Sequence, residues 1–310
     1  MKTIAKKFGV GLLLLCILSL ICYTPDLSWE TLKPLYAQSP SQFIEMDGRR
    51  VHYRDEGSGE AIVLIHGTGA SLHTWDAWAT QLKTQYRVIR FDLPAYGLTG
   101  ADPQKRYTVN DYVVLLEKLA QKWGLENFHL AGNSLGGEVA WQYAAQHSQR
   151  VNKLVLLNAA GFPFKKSPWV IQLARTPLLN FFVRYCTPRS FIEKNLKEVY
   201  HDDQAITAAT IDRYYDLTRL EGNRQAFIDR AYLVKKDATG LLKKIQAPTL
   251  VLWGAEDAWI PVANAEKFAQ QIPHSVLSIM PETGHVPMEE QPKASLGRVL
   301  DFLEQESVQK

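Results

Sequence analysis

Six short apolar runs recur along this chain of 310 residues, and most are separated by patterns typical of amphipathic helices. Near-continuous apolar runs of this length are typical of buried parallel strands, and their alternation with helices predicts an α/β fold with a mostly parallel, twisted sheet flanked by helices. An Asp47-Gly48 turn between two shorter stretches predicts an antiparallel hairpin before the first run. The runs are residues 61–65, 87–91, 128–131, 154–157, 249–253 and 276–280.

The alternation breaks between residues 162 and 245, where helical stretches are punctuated by prolines and no buried strand is expected. This predicts a helical cap inserted between strands 6 and 7, above one edge of the sheet. Within residues 162–200 the cap carries seven Lys and Arg against two Glu. Its apolar residues would line a pocket under the cap, and the alternative is a surface that contacts anionic lipid.

The N-terminus has the pattern of a targeting segment. Lys2, Lys6 and Lys7 precede an apolar run from Phe8 to Tyr23, so residues 1–23 are predicted to be a membrane anchor or a signal segment. Few small residues follow the run, which favours an uncleaved anchor, with a secreted, cleaved protein as the alternative. Either reading places the domain on the extracytoplasmic side, which is the periplasm if the source is bacterial.

Residues 24–41 are proline-rich and without periodicity, which predicts a linker before a domain that spans residues 42–306. Cys16 and Cys22 fall in the apolar run and leave only Cys186, so no disulfide is expected within the folded part. Because 35 Lys and Arg nearly balance 32 Asp and Glu, nucleic acid is not expected as a partner. No metal-binding spacing is present, and neither a metal nor a cofactor is predicted.

The segment Gly132-Asn133-Ser134-Leu135-Gly136 lies between a predicted strand and a predicted helix. This context is typical of a sharp turn that exposes a nucleophilic serine, because only glycine at the second position on either side leaves room for the turn. Ser134 is therefore the candidate nucleophile, and Gly132 and Gly136 are the glycines that permit its conformation.

A serine hydroxyl becomes nucleophilic when a histidine takes its proton and a carboxylate orients that histidine. Asp257 and His285 each follow a later predicted strand, in the order acid before base. Glu256 is the alternative acid. Negative charge that develops on the substrate oxygen needs two backbone N–H donors, for which we predict Leu135 and Thr68, with Gly69 as an alternative to Thr68.

With a serine at a sharp turn, an acid and a base after later strands, and candidate oxyanion donors, residues 42–306 resemble the α/β-hydrolase superfamily. The resemblance is carried by His66-Gly67, residues 91–97, residues 132–137, Trp253-Gly254 with Asp257 and Pro261, and Gly284-His285 with Pro287 and Glu289. It implies a serine-nucleophile enzyme, similar to carboxylesterases and small lipases, that cleaves an ester substrate through an acyl-enzyme, with lipid esters among the candidate substrates.

Two departures within the superfamily narrow the choice of activity. Ser134 differs from the aspartate nucleophile of haloalkane dehalogenases and epoxide hydrolases. Val286 follows His285, where meta-cleavage product hydrolases, which split carbon–carbon bonds, usually carry Trp. Carbon–carbon bond hydrolysis remains one alternative function, and a non-catalytic small-molecule-binding protein with the same fold is another.

Overall fold

A computed structural model of the protein describes residues 22–163, 167–234 and 236–305. Its centre is an eight-stranded sheet in the order β1-β2-β4-β3-β5-β6-β7-β8. β1 pairs with β2, and β2 with β4, in antiparallel register, and every other neighbouring pair is parallel. The strands are β1 (Ser41–Met46), β2 (Arg49–Glu56), β3 (Ala61–Ile65), β4 (Arg87–Phe91), β5 (Phe128–Asn133), β6 (Val151–Leu157), β7 (Thr249–Gly254) and β8 (Ser275–Met280).

Twelve α-helices are present in the described part of the chain. They are α1 (Trp29–Tyr36), α2 (Asp76–Leu82), α3 (Val109–Lys122), α4 (Leu135–Gln146), α5 (Trp169–Arg175), α6 (Asn180–Tyr185), α7 (Arg189–Val199), α8 (Ala208–Thr218), α9 (Asn223–Ala231), α10 (Ala263–Gln271), α11 (Pro287–Glu290) and α12 (Pro292–Glu304). α3 begins with a reciprocal capping box formed by Thr108 and Asp111.

The sheet has a hydrophobic core on each face. Successive residues of β3 point to opposite faces, so Val63 and Ile65 pack in one core while Ile62 and Leu64 pack in the other. All five residues of this strand are buried. A strand covered on both faces requires apolar residues at every position, which explains why the sequence shows continuous runs rather than alternation.

The predicted fold class is confirmed: the sheet is mostly parallel, is flanked by helices, and carries its helical cap between β6 and β7. The cap consists of α5 to α9. Two of its prolines lie where helices begin. Pro168 precedes α5 and Pro188 precedes α7, where a missing N–H costs no helical hydrogen bond.

The expectation that residues 24–41 lack regular structure is wrong, because α1 forms within them. Ser28 caps α1 by accepting a hydrogen bond from the Thr31 N–H, at 3.2 Å. Leu32 is fully buried among Leu98, Leu217 and Leu220. A helix of eight residues with one buried side chain shows little periodicity in sequence, and its stability comes from packing. The domain bounds themselves stay a prediction.

The expectation that the folded part contains no internal disulfide is also wrong, since Cys22 is bonded to Cys186. The residues that follow the apolar run lie against the cap. The Thr24 N–H donates to the Tyr185 carbonyl at 2.8 Å, and Asp26 forms ion pairs with Arg184 and Arg224. These contacts bring Cys22 to the C-terminal end of α6.

The predicted anchor or signal segment, residues 1–23, lies almost wholly outside the described residues. Among residues that the structure describes, no helix is both long and apolar enough to cross a bilayer.

Candidate active site

Ser134 lies at the sharp turn between β5 and α4, with φ of 53° and ψ of −116°. A positive φ is unfavourable for serine, so the surrounding structure must hold it there. The two flanking glycines make this possible. A Cβ atom at Gly132 would overlap the carbonyl of Gly136, and one at Gly136 would overlap the carbonyl of Ile65. The tight crossing of α4 over β3 and β5 thus fixes the serine backbone.

Asp257 and His285 meet at the carboxyl edge of the sheet. The Nδ1–H of His285 donates to Asp257 Oδ2 at 2.7 Å. Asp257 Oδ1 accepts the backbone N–H groups of Trp259 and Ile260, at 2.8 and 2.9 Å, which fixes the carboxylate. With Nδ1 protonated, Nε2 is the basic nitrogen of the ring. Nε2 is buried and has no hydrogen-bond partner among the described residues.

Glu256, the alternative acid, has a different partner. Its Oε2 accepts a hydrogen bond from the Thr283 N–H at 2.9 Å. The carboxylate hydrogen-bonded to His285 is that of Asp257.

The predicted oxyanion donors lie beside the serine. Leu135 is the first residue of α4, where a backbone N–H has no intrahelical acceptor. Thr68 follows β3 and lines the same cavity as Ser134 and Leu135. Two N–H groups at a helix start and an adjacent loop can stabilise an oxyanion. Gly69 lines a second, adjoining cavity together with Thr68 and Ser134, so the alternative donor also lies near the serine.

His66 has a structural environment. The Leu93 N–H donates to His66 Nε2 at 2.9 Å, so the proton is on Nδ1, which donates to the Gly67 carbonyl at 2.7 Å. Complete burial lowers the pKa of His66 and favours this neutral form. The ring therefore joins the loop after β3 to the loop after β4.

Sequence reasoning missed two asparagines that support the site. Asn158 Nδ2 donates to Asp257 Oδ2 at 2.7 Å, and Asn133 Nδ2 donates to the His285 carbonyl at 2.9 Å. Asn158 has a φ of 44° and directly follows β6, at the same edge as Asp257. A polar residue directly after a buried strand was the available signal.

Two cavities meet at Ser134. The smaller, of about 120 Å³, is mostly apolar and also contacts His285. The larger, of about 600 Å³, is more polar. Thr68, Ser134 and Trp259 border both. Apolar walls of the smaller cavity include Trp169, Val183, Phe191, Leu196, Leu217 and Phe227. Polar walls of the larger include Tyr107, Glu138, Gln142, Arg175, Arg230 and Lys236.

A search for clusters of three or more His, Cys, Asp or Glu side chains that could hold a metal ion finds none within the described ranges. The arrangement at Ser134 offers a nucleophile, a base and N–H donors from the chain itself. Such an arrangement is suited to acyl transfer.

Comparison with known proteins identifies relatives over most of the chain. The uncharacterized hydrolase YugF of Bacillus subtilis is 27% identical over 274 residues, which cover 86% of this chain and 99% of that protein. The 2-hydroxy-6-oxo-6-(2'-aminophenyl)hexa-2,4-dienoic acid hydrolase of Metapseudomonas resinovorans is 29% identical over 272 residues, covering 84% and 90%. The solved structure of a membrane phospholipase A is 28% identical with a TM-score of 0.73, covering 96% of this chain and 98% of that one.

The structure thus brings together the residues expected to form the site: Asp257 with His285, and both Thr68 and Leu135 with Ser134. Their catalytic roles stay predictions. The family model for the alpha/beta hydrolase fold matches residues 60–292. Because that match spans about three quarters of the sequence, the chain belongs to the α/β-hydrolase family and is a hydrolase by its relatives.

Proposed function

We propose that the protein hydrolyses carboxylic esters through a covalent acyl-enzyme formed on Ser134. The observation that carries this proposal is the shared cavity: Ser134 and His285 line the same apolar cleft, and Asp257 orients His285 through Nδ1, so that Nε2 is the nitrogen available to act as the base. An apolar cleft beside a nucleophile suits the acyl chain of an ester.

In the proposed reaction, Ser134 Oγ attacks the ester carbonyl while His285 Nε2 takes the hydroxyl proton. The N–H groups of Thr68 and Leu135 stabilise the negative oxygen of the tetrahedral intermediate. His285 then donates its proton to the departing alcohol, which leaves an acyl-serine. A water molecule that transfers a proton to His285 hydrolyses the acyl-serine and restores Ser134. Asp257 stabilises the imidazolium in both halves of the reaction.

Two relatives support an ester substrate. The membrane phospholipase A is 28% identical, and the structure of a thermophilic esterase from Thermogutta terrifontis is 26% identical with a TM-score of 0.72. Both names describe enzymes that cleave ester bonds, and the phospholipase match covers 96% of this chain. A lipid ester is therefore included in the proposed substrate class.

A panel of chromogenic esters with increasing acyl length tests the proposal on the purified full chain. We expect hydrolysis by the native protein and a loss of at least about 10³-fold in kcat for Ser134→Ala. Binding of small esters without turnover, at any acyl length, would instead favour a non-catalytic binding protein.

Carbon–carbon bond hydrolysis is the second candidate function. Its support is the similarity to the dienoic acid hydrolase of Metapseudomonas resinovorans and to a 2-hydroxy-6-oxo-6-phenylhexa-2,4-dienoate hydrolase of Burkholderia cepacia, 28% identical. A ring-fission dienoate assayed beside the ester panel separates the two. Faster turnover of the dienoate than of every ester would replace the ester proposal with this one.

Membrane attachment of the N-terminal segment, with the domain on the extracytoplasmic side, is a further part of the proposal. The lysines before the apolar run and the similarity to a membrane phospholipase A support it. We expect the full chain to stay with membranes in carbonate and to be accessible to protease added outside the cytoplasmic membrane. Release by carbonate with residues 1–23 missing would indicate cleavage instead.

A further inference from the structure

The larger cavity beside Ser134 contains an arginine with no carboxylate partner. Arg230 extends from α9 into this cavity, and no carboxylate of the described residues forms an ion pair with it. Its buried Nε atom has no hydrogen-bond partner in the part of the chain that the structure describes. By contrast, two other cap arginines are paired, Arg213 with Glu289 and Arg224 with Asp26.

Arg230 has no ion-pair partner among the described residues, although its neighbours favour its charge: burial opposes the cation, but the nearby tyrosines and Glu138 raise the pKa of Arg230. The hydroxyls of Tyr96 and Tyr112 lie beside the guanidinium, and Glu138 attracts it only from beyond ion-pair distance. Among the other charged side chains of the cavity, Arg175 and Lys236 are positive.

Asp237 is the remaining carboxylate that lines the cavity, and it already accepts hydrogen bonds from the backbone and side chain of Thr239. The described lining therefore has three positive side chains against two negative ones. A buried donor without a partner costs free energy, and a bound anion would supply the missing acceptor for Arg230 Nε.

The geometry of the two cavities assigns the ends of the substrate. An ester bound at Ser134 must place its acyl and alcohol parts on different sides of the reacting carbon. The smaller, more apolar cavity fits the acyl chain, and the larger cavity, which has more polar and charged walls, is left for the alcohol. Arg230 therefore faces the alcohol side.

We propose that Arg230 forms an anion subsite, so that the preferred ester carries a phosphate or carboxylate on its alcohol part. This inference rests on the proposed ester hydrolysis. The planar guanidinium offers paired donors that match the oxygens of either anion. Arg230 is then a residue that determines specificity by contact with the substrate.

Three esters with the same acyl chain test the subsite: an acylglycerol 3-phosphate, the acyl ester of glycerate, and the neutral acylglycerol. We expect Arg230→Gln to lower kcat/KM for the better anionic ester by about 10- to 100-fold, and for the neutral ester by less than about threefold. Comparing the phosphate with the carboxylate identifies the preferred anion. Arg189→Gln is the matched control, because this cap arginine is ion-paired with Asp212, lines neither cavity and should change every rate by less than about threefold when replaced.

An equal loss on charged and neutral esters would overturn the subsite and leave Arg230 a structural residue. If Arg230→Gln does not fold, Arg230→Lys replaces it in the test, because lysine keeps the positive charge but lacks the paired donors. For this variant we expect an intermediate loss of kcat/KM, confined to the anionic esters. Calorimetric binding of glycerol 3-phosphate is a readout independent of turnover. Binding to the native chain but not to the variant supports the subsite even if no ester is cleaved, and absence of binding together with no preference for the anionic esters refutes it.

Discussion

Replacing Leu32 by alanine tests whether α1 is part of the folded domain. The side chain is fully buried against Leu98, Leu217 and Leu220. Loss of a buried leucine side chain costs about 2–5 kcal/mol, depending on how far the neighbours close the cavity. Because α1 is short and its neighbours lie partly in the cap, we expect the lower part of that range, about 2–3 kcal/mol. For a domain of this size the melting temperature should fall by about 4–5 °C.

Leu35→Ala is the matched control, since Leu35 lies on the same helix with 55% of its surface exposed. This change should alter the free energy of unfolding by no more than about 0.5 kcal/mol. Thermal unfolding followed by circular dichroism, with both variants in the full chain, measures the difference. Equal melting temperatures for the two variants would refute the packing of α1 on the domain.

Three further predictions concern the acid, a buried histidine and the disulfide. Asp257→Asn should lower kcat by about 10³- to 10⁴-fold while Glu256→Gln has a small effect, and the reverse order in steady-state kinetics would make Glu256 the acid. Burial lowers the pKa of His73 to about 4, below its unfolded value of about 6.5, so the neutral ring contributes stability above pH 6.5 that is lost as the pH falls towards 4. The free energy of unfolding should fall by about 3 kcal/mol as the pH is lowered from 6.5 to 4. His73→Gln should remove this pH dependence, and a variant with the same pH dependence as the native chain would contradict the prediction. A reductant should lower the free energy of unfolding of the native chain by roughly 2–5 kcal/mol, because it opens the long loop closed by the Cys22–Cys186 bond. The same reductant should leave the stability of the double variant Cys22→Ser, Cys186→Ser unchanged.

The parts of the fold set by local sequence were predictable. A strand buried on both faces, such as β3, needs an unbroken apolar run, and the turn at Ser134 needs glycine on both sides for steric reasons. Both requirements act within a few residues, so the sequence pattern records them. The positions of Asp257 and His285 after their strands followed from the parallel topology.

The parts that depend on distant contacts were not predictable in this way. α1 is stabilised by Leu217 and Leu220, nearly two hundred residues further along the chain. The Cys22–Cys186 bond needs the N-terminal segment to lie against the cap, which only the folded structure shows. The unpaired state of Arg230 likewise depends on which carboxylates the cap brings near it. The periodicity of apolar residues along the sequence does not indicate which distant residues contact each other in the fold.

Covalent labelling of Ser134 is the decisive test of its proposed role as the nucleophile. We expect a fluorophosphonate probe to add once to the native chain at neutral pH, on the peptide that contains Ser134, because His285 is proposed to remove the hydroxyl proton. Mass spectrometry should show slow labelling in His285→Ala and none in Ser134→Ala. Labelling that persists in Ser134→Ala, or that is equally fast in His285→Ala, would contradict the account.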